Sequence, residues 1–423
     1  MDKRLQDLVD WTKEKLKLDS YFLKTSSIQR KVNTYQETVY TLCMEWFPLH
    51  KPDYEDEDLN PEGTAVVEID LHSKQIQSII FVGEKTFTDL RVEAPDTNAI
   101  VEWIEQETNI SSNLFHLAKE EANRWLFVSS IDGIAISPSG QIEVKLDQEG
   151  RLLLFAVHGG EFPSEHLVEV ESFTLTQESV IELAYKQIDI IKFPVMEEEK
   201  WKQAYAMEEV FVTNKEQQTL NFDIGIPEAL RTKIKHLLTW KSGLDNDIVR
   251  KKIDVNREIS ADTAYANEPS PDMLSITKEE QEKCFETVKN FMRKVYPNDS
   301  GKWVLDHLYR DMEMVHAVLK LNEQNKLIFN EKLVVMLDPK TFEVLNYIDT
   351  SSFLEMFQNF ESEDKVMVGK EEAFENLEQH LLIKPYYVYD YAKQKYVLCG
   401  KLDCHYCVDA ESGEVILLDA FTK

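Results

Sequence analysis

The strongest constraint on this chain is a hairpin pattern that it writes four times. Residues 68–76, 143–152, 334–344 and 405–415 each read as a strand with alternating apolar and polar side chains, a tight turn, and a second apolar strand. Three of the turns open on Asp147, Asp338 and Asp409, and the first on His72. An aspartate in that place bonds the backbone two residues on. Gly150 and Gly413 supply the positive φ that the return needs.

Each hairpin follows an earlier strand-like run: Thr38–Trp46, Trp125–Ile136, Met314–Leu321 and Tyr386–Leu398. A candidate helix precedes each run. The clearest spans residues 277–296. Thr277 and Glu280 form a capping box, and Cys284, Phe285, Val288, Phe291, Met292 and Val295 make one apolar stripe ahead of Pro297. Leu5, Leu8, Val9, Thr12 and Leu16 mark a weaker helix, Ala99–Glu107 another, and a fourth begins near Gly369.

A longer period overlies the short one. Asp147 and Asp338 lie 191 residues apart, and helix starts near Thr176 and Gly369 lie 193 apart. Both helices precede tyrosine-containing strands, Tyr205–Thr213 and Tyr386–Leu398, so the chain reads as duplicated. Residues 242–276 are polar, with Asn-Glu-Pro-Ser-Pro at 267–271, and read as a linker or ordered loop. The expected class is α+β, built from tandem helix-plus-antiparallel-sheet repeats. The segments are 1–83, 96–160, 174–225, a helix and polar linker at 226–276, then 277–350 and 367–423.

Composition narrows the function. The 423 residues carry 77 Asp and Glu against 47 Lys and Arg, a net charge of −30. Such a chain neutralises no phosphate backbone and is repelled by an anionic membrane surface, so neither nucleic acid nor membrane is an expected partner. The N-terminus is charged from its second residue, without the apolar core of a secretory signal, and a cytoplasmic location is expected. Five cysteines in this length are no disulfide framework.

Three segments carry a family resemblance: Phe291–Pro297 closing a helix, Ile131–Val144 with Glu149–Leu152, and Val408–Val415. They resemble PepSY-like domains, and more closely the YcdB/YcdC repeated-domain proteins of bacilli. The likeness covers most of residues 96–420 and loosely the first 83. It implies a PepSY/cystatin-like repeat. It also implies a role like that proposed for PepSY units, which accompany peptidases as inhibitors or chaperones.

Candidate chemistry is sparse. Cys399, Cys404, His405 and Cys407 form the densest soft-ligand cluster and could hold zinc or make a CxxC redox pair. On a strand, however, Cys404 and Cys407 point to opposite faces, with Cys407 in the register of Asp70, Lys145 and Met336, expected to be exposed. Ordinary strand residues are the leading reading, and no cofactor is expected.

Asp56, Asp58 and Asn60 have calcium-loop spacing, but Pro61 stands where that loop needs glycine and Val67 where it needs glutamate. His158-Gly-Gly-Glu161 reads as a turn after a strand. Tyr387, Tyr389 and Tyr391 alternate beside Tyr386 and form either core or one wall of a binding groove. With no nucleophile, phosphate-loop or dinucleotide motif, the expectation is a non-enzymatic module. It would bind a peptide or protein, preferably a basic one, by strand addition to an open sheet edge.

Overall fold

The computed structural model describes residues 1–50, 60–220, 230–244, 249–253, 258–322, 327–328, 332–363 and 365–422. The protein is α+β, and side-chain caps open four of its helices. Helix α1 (Lys3–Lys15) is capped by Asp2, whose side chain accepts from the Arg4 N–H. Asp96 caps α2 (Thr97–Thr108) in the same way. Reciprocal capping boxes start α3 (Gln177–Gln187), from Thr176 and Ser179, and α4 (Lys278–Val295), from Thr277 and Glu280. Helix α5 (Lys370–Leu377) follows Gly369. No helix among the described residues is long and apolar enough to cross a membrane.

The chain divides into two compact units. The first comprises Met1–Glu169, Val255–Ser270 and Tyr386–Tyr396. Here α1 leads into β1 (Tyr21–Val32), β2 (Thr38–Pro48), β3 (Ala65–Asp70) and β4 (Ile76–Phe81). Helix α2 leads into β5 (Phe115–Glu121), β6 (Arg124–Ile131), β7 (Ile134–Ser137), β8 (Gly140–Leu146) and β9 (Leu152–Gly159). The meander β1-β2-β3-β4 meets β9-β8-β6 where β4 and β9 pair antiparallel, Ile79 opposite Phe155. Both helices pack on one face of this sheet. Leu8 and Val9 from α1 and Ile100 and Ile104 from α2 share one core with Leu42, Ile69, Phe127 and Val144.

The described residues of the polar stretch at 242–276 are mostly loop. They include the short helix Ala261–Tyr265, and Glu268 accepts at its carbonyl from the Tyr40 hydroxyl (2.6 Å).

The second unit comprises Val170–Asp254, Pro271–Pro385 and Val397–Lys423. Helix α3 leads into β10 (Ile188–Val195), β11 (Lys200–Met207), β12 (Val210–Thr213) and β13 (Thr219–Leu220). Strand β14 (Thr232–Leu237) opens a five-stranded sheet with β15 (Trp303–Asp311), β16 (Met314–Leu321), β17 (Lys332–Leu337) and β18 (Val344–Asp349). The predicted stripe of α4 packs on it, Cys284, Val288 and Phe291 against Leu305, Ala317 and Val335.

The short β19 (Glu361–Glu363) comes before α5. Then follow β20 (Leu382–Asp390), β21 (Lys395–Asp403), β22 (Tyr406–Asp409) and β23 (Val415–Leu417). The run predicted at Tyr386–Leu398 is therefore two strands and a turn. Asp390 organises that turn by accepting from the Ala392 and Lys393 N–H groups.

The segments that start at α3 and α5 complete one another. Strand β11 pairs antiparallel with β22, Tyr205 opposite Val408, and β12 with β21, Val212 opposite Gly400. The helices share a core, with Val180 and Ala184 of α3 beside Ala373 and Leu377 of α5. Gly400 is required by this packing, because a Cβ there would lie 2.7 Å from the Ile383 side chain.

All four predicted hairpins are present, with one correction. In three of them an aspartate Oδ1 accepts from the N–H groups two and three residues on, at 2.6–3.0 Å: Asp70 from His72 and Ser73, Asp338 from Lys340 and Thr341, Asp409 from Glu411 and Ser412. The first turn thus opens at Asp70 rather than His72. In the further hairpin β12–β13, Thr213 stands in place of the aspartate, its Oγ1 accepting from the Gln218 N–H.

Candidate functional site

The C-terminal cysteines and His405 do not form one site. Cys399 lies on β21 opposite Thr213, and Cys404 joins the core shared by α3 and α5. Cys407 faces the other way, as the strand period requires. Its face is not exposed as expected, because Phe193, Ala204, Ala206 and Phe421 bury it. The short helix Leu418–Phe421 brings Phe421 onto that side of the sheet. His405 stays at the surface, its ring 3.8 Å from Asp403. Burial pushes the Cys407 thiol up to about 12 and raises Cys404. Among the described residues, no three His, Cys, Asp or Glu side chains converge on a point that could hold a metal ion.

Asp56 and Asp58 of the calcium-like run lie outside the described residues, while Asn60 donates to Glu45 (3.2 Å). His158 lies one residue before the end of β9, within hydrogen-bond reach of Gln141 (3.1 Å). Burial raises the nearby Glu161 carboxyl.

Tyr387 and Tyr389 are buried and Tyr391 is half-buried. Tyr389 packs edge-on against Tyr35, Tyr391 and Tyr396, with ring centroids 5.1–5.2 Å apart. The rings fill one another's space, so this strip is packed interior more than groove wall.

Two other features offer surfaces for a partner. In the first unit, β5 pairs with β6 alone among the described residues, and its side chains from His116 to Glu121 are all exposed. A register shift at Ala118 interrupts the pairing.

In the second unit, a cleft of about 420 Å³ opens between the β10–β11 turn and the β22–β23 turn. Val195, Ile416, Ala420 and Phe421 give it an apolar floor. Five carboxylates line it: Glu197, Glu198, Asp409, Glu411 and Glu414. Lys202 and Lys365 also line it, and each is paired inside the cleft, Lys202 with Glu198 (2.6 Å) and Lys365 with Glu411 (3.0 Å). Sequence reading missed this cleft because its walls come from segments some two hundred residues apart. The acidic run at 197–199 was the available signal.

No protein-family model and no curated protein matches the chain.

Proposed function

We propose that this protein is a non-enzymatic module that binds a peptide or another protein by strand addition. The observation that carries this reading is the open edge of β5, a seven-residue strand with one neighbour among the described residues and an exposed row of side chains. An extended segment laid there gains main-chain hydrogen bonds whatever its sequence, and its alternate side chains meet the exposed row of β5. The net charge of −30 draws a basic partner and repels acidic ones. The resemblance to PepSY domains suggests that such binding restrains or shelters the partner, as an inhibitor or chaperone.

An array of basic ten-residue peptides, read by fluorescence anisotropy, tests the reading. The edge is blocked with Ala118→Pro, placed at the register shift, where a proline is tolerated. The expected result is loss of binding with an unchanged melting temperature. Unchanged binding by a folded variant, or saturable turnover of a small-molecule library by the native protein, would overturn it.

A further inference from the structure

The geometry points to a second binding site, distinct from the β5 edge: the cleft of the second unit takes a lysine or arginine side chain from an extended basic segment. The argument rests on how its charges are spent. Both lysines are neutralised inside the cleft, by Glu198 and Glu411. Asp409 is committed to its turn, accepting from two backbone N–H groups. Among the described residues, Glu197 and Glu414 have no cationic partner, above a floor that includes Ile416 and Phe421.

An apolar floor under unpaired carboxylates matches a side chain with an aliphatic stem and a cationic head. The carboxylates are too dispersed to converge on one metal ion among the described residues, so they address separate positive charges along a chain. A second copy of this protein is a poor occupant, because each copy carries a charge of −30.

The test uses the full chain and a labelled heptapeptide of alternating lysine and serine, with its glutamate counterpart as control, both read by anisotropy. The combined Glu197→Lys and Glu414→Lys variant is expected to bind the lysine peptide about tenfold more weakly or worse. Glu375→Lys with Glu378→Lys makes the same change of net charge at exposed positions on and just after α5. That control is expected to bind within about twofold of the native protein.

Equal weakening by both pairs would reduce the attraction to net charge and overturn the site. Unchanged binding by the cleft variant, equal binding of the glutamate peptide, or spermidine binding as tightly as the peptide would also overturn it. If the reversed pair lowers the melting temperature, Glu197→Gln with Glu414→Gln gives the same reading without added charge, and unaltered binding by that pair refutes the proposal. Ala118→Pro is expected to leave this peptide's affinity intact, which separates failure of the cleft from failure of the β5 edge.

Discussion

At the scale of single residues, the turn aspartates and the thiols make the firmest predictions. Asp70 holds two backbone N–H groups and the Ser73 hydroxyl. Asp70→Ala is expected to cost about 1 kcal/mol in urea unfolding. An unchanged midpoint would mean that water replaces those bonds without loss. The five cysteines are all free thiols. Burial pushes Cys43 up to about 11 and Cys284 and Cys407 up to about 12, so the reactive thiolate is scarce at neutral pH. Ellman's reagent is expected to react slowly with the native protein and to find five thiols after unfolding. Fast native labelling of Cys407 would contradict its placement beneath Phe421.

At the scale of elements, the start of α4 is tied to its sheet by an ion pair whose arginine is buried. Arg310 is 9 % exposed and donates to Glu280 (2.8 Å) and to the Leu274 carbonyl (3.2 Å). Glu280 also closes the capping box with Thr277. Arg310→Met removes the charged partner of Glu280, which keeps its Thr277 bonds, and is expected to cost about 1.5–3 kcal/mol by chemical denaturation. Burial works to raise the Glu280 carboxyl, but the Thr277 and Arg310 hydrogen bonds outweigh it and hold the group below its ordinary value. Its contribution is therefore present above the ordinary glutamate range and is lost as pH falls through the depressed value.

The β15–β16 pair loses stability on acidification too, but in a higher pH range. His316 stacks on Tyr309 (4.8 Å) and His307 is bonded to Asp306 (2.8 Å). Burial lowers both imidazoles despite Asp306 and Asp311 nearby. The folded state thus keeps them neutral, and stability is full above their ordinary value of 6.5 and declines as pH falls below it. The urea midpoint is expected to drop between about pH 7 and about pH 5, and His316→Gln to flatten that slope. An equal slope in the variant would assign the drop to other groups.

At the scale of the whole molecule, the pairing of β11 with β22 and of β12 with β21 makes residues 170–220 depend on residues 397–423. A chain ended after residue 360 is expected to lose hydrogen-exchange protection across Lys200–Thr213 while keeping it in α4 and β15–β17. Retained protection at Lys200–Thr213 would show that the first half folds alone.

The sequence by itself determined the α+β class, the starts of α3, α4 and α5, the position of four hairpins, and the turn chemistry of three of them. Those are local matters: a cap reaches three residues, an Asx turn two or three, and a strand alternates every second residue. Tertiary structure alone decided that β4 joins β9, that β11 and β12 pair with β22 and β21, and that Cys407 is covered. It also decided that Glu197 and Glu414 share a cleft. Each of these depends on which strand becomes a neighbour. Pairing two strands uses backbone groups that every residue carries, so no side-chain pattern within either segment names its partner.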